Sequence, residues 1–180
     1  MIREPNCQSP LAVLAAALPV RARACLALLA ADMALHHLRT SPEFNLARDG
    51  LNLALKWHQG ESVDPDKLGE ALEAEESGIA FAMLRAEGRS QQELLAWYVL
   101  GNAIYYSAYH AFRAANRNPW GSIGEVNEGA LDHLDRDLRA LEPSSMARMT
   151  RAAAYLKRYP NAPLSRVEAH IFSGGRTGHV

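Results

Sequence analysis

Cysteine is nearly absent from this 180-residue chain, which has only Cys7 and Cys25 and no C-x-x-C spacing. A disulfide scaffold is thereby excluded, and a reducing compartment is the simpler setting. An excess of one charge is lacking too, because 19 Lys and Arg face 20 Asp and Glu, for a formal net charge of −1. No overall basic field exists to hold nucleic acid or an anionic membrane, so neither is expected as a partner. β-Branched residues are scarce, and no two-residue turn separates alternating apolar runs, so no segment reads as a strand. Also missing are G-x-x-x-x-G-K-[ST], G-x-G-x-x-G, G-x-S-x-G, H-E-x-x-H and the paired Glu-x-x-His of di-iron bundles. What remains is 48% hydrophobic and 22% charged, the balance of an ordinary globular domain of this length.

Two apolar stretches resemble membrane signals and fail on their details. Leu11 to Leu18 precedes a small-x-small site at Ala22-Arg23-Ala24, but Glu4, Pro19 and two arginines interrupt it and the apolar pattern runs on to Leu38. Export to the periplasm is therefore not expected, and the chain reads as cytoplasmic. Leu94 to Phe112 carries no charge and is almost long enough to span a bilayer. It holds Asn102, Ser107, His110 and four tyrosines, which suits a buried central helix instead.

Helix starts are strongly marked. Ser9-Pro10, Ser41-Pro42 and Asp64-Pro65 each put a capping side chain before a proline at the first helical position. Ser90-x-x-Glu93, Ser122-x-x-Glu125 and Ser165-x-x-Glu168 read as capping boxes. With stops at Gly60, Gly88, Asn116 to Gly121, Pro143 and Pro160, the pattern predicts helices near 10–38 (kinked at Pro19), 42–58, 65–87, 91–115, 123–141, 144–158 and 166–172. The expectation is one all-α domain over 1–172, a bundle of six to seven helices with short capped loops, and a flexible tail at 173–180.

Charge is distributed unevenly along this frame. Residues 61–76 carry a local balance of −6, residues 125–142 one of −4, and residues 143–180 one of +5. Glu125, Glu128, Asp132 and Asp135 follow a 3-4-3 spacing that lines them along one stripe of a helix, opposite Leu131, Leu134, Leu138 and Leu141. Such a stripe either keeps a helix in solvent or docks a basic partner. In the 65–87 segment the apolar row Leu68, Leu72, Ile79 and Met83 brings Glu75 or Glu76 close to the buried side, where a carboxylate needs a partner. On 91–115, Tyr98, Asn102, Tyr106, Tyr109 and Arg113 form one stripe beside Trp97, Gly101, Ile104, Ala108 and Phe112, and tyrosines so placed serve either the core or an interface. The cluster Asp132, His133, Asp135 and Asp137 points in several directions, so no metal site and no cofactor are expected.

Trp97, Ala103-Ile104-Tyr105-Tyr106, Tyr109 and Ala111, then Asn118-Pro119-Trp120 and Ile123-Gly124-Glu125-Val126, together resemble the central part of an all-α family of immunity proteins from bacterial polymorphic toxin systems. The likeness spans 70–142. It implies a cytoplasmic antidote that binds a toxin encoded beside it and blocks its active site, with no catalysis and no cofactor. Read with the charge map, it predicts a cognate toxin, basic in character, as the partner. The expected contacts are Glu125, Glu128, Asp132 and Asp135, with Glu70, Glu73 and Tyr109 behind them, and no catalytic residues. A homodimer is left open. Rival readings are a chaperone or adaptor for a secreted effector, and a helical-bundle enzyme or metal protein using Glu75 or Glu76 with His110 or Tyr106.

Overall fold

A computed structural model describes residues 8–126 and 129–173. Among these residues the regular structure is α1 (Pro10–Ala16), α2 (Val20–Leu35), α3 (Phe44–His58), α4 (Pro65–Glu73), α5 (Ile79–Ala86), α6 (Gln91–Ala114), α7 (Ala130–Leu141), α8 (Ser145–Arg158) and α9 (Leu164–Ser173). Two 3-10 turns, His36–Leu38 and Gly121–Glu125, complete it, and no strand occurs among the described residues. The all-α class is as expected, but nine α-helices replace six or seven because two segments that read as single helices are each divided.

The first division is at Pro19, whose extended backbone (φ −60°, ψ 156°) begins α2. Proline lacks the N–H an interior turn needs and its ring excludes the helical conformation from the residue before it, so a full break stands where a kink was expected. The second division separates α4 from α5. Ala74 leaves the helix with ψ 127° and Glu76 takes φ 61°. The N–H of Gly78 then returns to the Ala74 carbonyl at 2.8 Å. A Cβ on Gly78 would lie 2.6 Å from the Leu72 carbonyl oxygen, so only glycine closes this turn. Its consequence corrects the sequence reading: Glu75 and Glu76 are both exposed, and neither approaches the core.

Three start signals act as read, with Ser9 accepting from the Ala12 N–H, Asp64 from Asp66 and Ser90 from Glu93. The other three do not. Ser41 donates to the Glu43 carboxylate and α3 starts later, at Phe44. Ser122 falls inside the 3-10 turn, and Ser165 lies one residue within α9. Ser173, the first residue of the expected tail, instead ends α9, with its hydroxyl donating to the Ala169 carbonyl. Residues 174–180 lie outside the described residues.

At the centre α2 packs along α6, and the other helices surround that pair. The alanine-rich α2 buries Ala22, Ala24, Ala27, Ala30, Ala31 and Ala34, and small side chains let neighbours approach on several sides. The uncharged α6 is the buried central helix expected, with Trp97, Leu100, Ile104 and Phe112 fully enclosed. Each such large apolar side chain contributes about 1.5–3 kcal/mol on burial. Ile79 of α5 enters between α3 and α6 because both present glycine there. A Cβ on Gly50 would meet Ile79 Cδ1 at 2.6 Å, and one on Gly101 would meet Met83 Sδ at 2.5 Å.

Candidate functional site

Where α6, the 3-10 turn Gly121–Glu125 and the start of α7 converge, Asn102, Tyr105, Ser122, Glu125, Val126, Ala130 and His133 line a groove of about 300 Å³. The chain that forms its rim is fastened to α4. Asn116 turns the end of α6 with φ 54°, and Arg117 then reaches Asp64 at 2.9 Å and Asp66 at 2.5 Å. The Trp120 indole N–H donates to Asp66 at 3.2 Å, while its ring stands edge-on to Phe112 and covers Gly69, where any Cβ would collide with it. Both the Arg117 and Trp120 contacts favour the ionised carboxylate and hold the Asp66 carboxyl below its usual range.

Glu73 secures the next step of the rim. Its carboxylate accepts the Ser122 N–H at 2.7 Å and the Tyr105 hydroxyl at 3.4 Å. Gly121, at φ 54°, passes so close that a Cβ would overlap this carboxylate. Burial, and then the negative charge of Glu73, push the Tyr105 hydroxyl up to about 12, so it stays protonated and keeps donating.

The expected contact residues separate into distinct roles. Glu125 is exposed on the groove's rim, and Glu70 is exposed one turn before Glu73 on α4. Glu73 is half-buried and engaged with the loop. Tyr109 is half-buried, edge-on to His110 at 5.2 Å, and outside the groove lining. Glu128 lies outside the described residues.

Asp132 and Asp135 correct the stripe reading. Asp132 is half-buried and accepts the Ser9 N–H at 2.8 Å. Asp135 is fully buried, with the Arg139 guanidinium at 2.7 Å. Its burial raises the carboxyl's pKa, against the opposing pull of Arg139 and of the Leu11 backbone N–H. Spacing alone placed both acids toward solvent, but α1 packs against that side of α7. Asp132 holds its N-terminus, where the helix dipole favours negative charge. Asp135 therefore has no surface to offer a partner.

The expected contacts did not include Tyr105, Asn102 or His133, although Asn102 stood on the tyrosine stripe and His133 in the cluster with Asp132. Tyr105 follows Asn102 by one helical turn and precedes the proline loop, which was the available signal, but it lies off the tyrosine stripe that drew notice. Reactive chemistry finds little support here. Burial pushes the Cys25 thiol up to about 12, so it is not a thiolate at neutral pH, and Cys7 lies outside the described residues. Among the described residues no group of three or more His, Cys, Asp or Glu is placed to hold a metal. The enzyme reading needed Glu75 or Glu76 beside the Tyr106–His110 pair, whose rings meet at 4.5 Å, and both acids are exposed on the α4–α5 turn instead. No described helix is long and apolar enough to cross a membrane.

Comparison with known proteins gives one match. The family model described as immunity protein Imm6 matches residues 22–140, from the first turn of α2 to the last turn of α7. The groove, α4 and the whole of α6 lie within that span. So does most of the likeness read from the sequence over 70–142, while α1, α8 and α9 lie beyond it. No curated protein and no solved structure matches.

Proposed function

The chain belongs to the Imm6 family of immunity proteins, and on that premise we propose that it binds and neutralises a cognate bacterial toxin domain by direct contact, in the cytoplasm and without catalysis of its own. The family match over α2 to α7 is the observation that carries this reading. The contact face is the acidic rim around the α6–α7 groove, where Glu70 and Glu125 are exposed, Glu73 is fixed by Ser122 and Tyr105, and Asn102 and His133 offer polar side chains. Glu75 and Glu76, exposed on the turn that ends α4, extend the same charge.

A rim of this kind suits a basic partner. Complementary potential raises the rate of encounter, and the gain matters most against a toxin that does harm while free. The rim is also held rigid, because Arg117, Trp120 and Glu73 fasten its loop to α4, so little ordering entropy is lost on binding.

Co-expression with the toxin encoded beside it tests the proposal. Growth should be restored by this chain and reduced again by Glu70→Lys with Glu125→Lys, whereas Arg148→Glu with Arg151→Glu should leave protection intact. Protection lost equally in both pairs would remove the acidic face from the account. A complex that forms without protecting the cell would indicate a chaperone or adaptor instead.

A further inference from the structure

A second groove lies away from this rim, at the end that the family match does not reach. Between the last turn of α8 and the first of α9, a trough of about 620 Å³ is lined by Tyr155, Arg158, Tyr159, Asn161, Ala162 and Arg166 among others, with no carboxylate in its wall. Arg158 and Arg166 are exposed, and neither guanidinium has an ion pair among the described residues. Tyr155 stacks on His170 at 4.6 Å and lies 4.9 Å from Tyr159, whose ring is 55% exposed. The floor is fixed in advance: the His58 imidazole bonds the Ala162 carbonyl at 3.1 Å, and the Ala162 N–H closes the turn on the Tyr159 carbonyl at 3.0 Å.

We infer that this trough binds an acidic peptide segment of a protein partner. Two unpaired guanidiniums in a wall free of carboxylates are complementary to anions, and Arg engages carboxylates through two parallel hydrogen bonds. Exposed tyrosine beside arginine is also the pairing that dominates protein-binding hot spots. The trough is largely open to solvent. That shape admits an extended chain, whereas a small ligand needs a pocket enclosing most of its surface. The inference rests on the protein-binding reading above and adds a second contact of opposite charge. It also places that second contact on α8 and α9, outside the span that the family model matches.

The test uses the full chain and a fluorescein-labelled hexaglutamate peptide, followed by anisotropy at low salt. Binding should weaken about tenfold or more with the glutamine counterpart of the peptide, and by a similar factor in Arg158→Ala/Arg166→Ala. Arg151→Ala/Lys157→Ala removes two exposed cations of α8 outside the trough and should change affinity less than about twofold. Tyr159→Ala should weaken binding and Tyr159→Phe restore most of it. Failure of hexaglutamate to bind, equal losses in the two double variants, or displacement of the peptide by a mononucleotide at lower concentration would each overturn the inference. None of these outcomes bears on growth rescue, which tests the toxin-binding reading separately.

Discussion

At the α4–α7 end of the molecule most carboxylates are occupied in holding the chain together. At the α8–α9 end two arginines flanking a ready-made trough are not. Asp64 and Asp66 bind Arg117, Glu73 binds the Ser122 N–H, Asp132 anchors α1, and Asp135 and Asp137 pair with Arg139 and Arg136. Glu70, Glu75 and Glu76, by contrast, are exposed, with no ion pair among the described residues. In the basic segment Arg148 is paired with Glu142, whereas Arg158 and Arg166 are unpaired. A local charge sum thus measures what a segment contains and overstates what it presents, and the overstatement is larger where loops must be fastened to helices.

The largest test of this contrast is Gly121→Ala. A side chain there is strained by the positive φ and must displace the Glu73 carboxylate, so the substitution should cost about 2 kcal/mol. Urea denaturation measures the loss, and an unchanged midpoint would mean that the rim loop is not held as described. Glu73→Gln should cost about 1 kcal/mol. It should also let the Tyr105 hydroxyl titrate at lower pH, because the negative charge of Glu73 that helps to raise it is removed. Spectrophotometric titration of the tyrosines reads that shift directly.

The helical class, the central role of α6 and the starts at Pro10 and Pro65 were legible because each follows from a local rule about periodicity or an unsatisfied N–H. The break after α4 was not, because it depends on the three-dimensional fit of Gly78 against the Leu72 carbonyl, while the apolar spacing resumes at Ile79 as though the helix continued. The fate of Asp132 and Asp135 was hidden for a related reason. A stripe opposite the leucines faces solvent only if nothing else packs there, and the helix that does is more than a hundred residues away in sequence. Glu70 was readable as a surface acid because its spacing on α4 alone sets its exposure.

Two further carboxylates set opposite pH limits on stability. Glu43, held by Arg89 at 2.8 Å, has its carboxyl lowered to about 2, chiefly by that hydrogen bond. Its contribution is present above the ordinary carboxylate range and is lost as pH falls toward 2. Glu168 on α9 is raised to about 7 by burial and by the neighbouring Asp32 carboxyl. Its contribution is present at acid pH and is lost as pH rises through 7. The melting midpoint should therefore climb between pH 8 and pH 5 and fall again below pH 4. Glu168→Gln should flatten the first limb only, and Glu43→Gln the second. A Glu168→Gln protein that kept the full rise from pH 8 to pH 5 would show that the contact of α9 with Asp32 does not govern that limb.

The smallest expected effect is a matched pair of nulls, and it bears most directly on the contrast between the two ends. Arg158→Ala with Arg166→Ala, and separately Glu70→Ala with Glu75→Ala, should each change folding stability by less than about 0.5 kcal/mol, since none of the four side chains has a charged partner to lose. Asp132→Ala, conservative by the same sequence criterion, should cost about 1 kcal/mol, because it removes the acceptor of the Ser9 N–H. Parallel denaturation of the three variants distinguishes charge that holds the fold from charge left for a partner. Losses above 1 kcal/mol in either double variant would move those residues into the structural class, and the binding role argued for that surface would lose its footing.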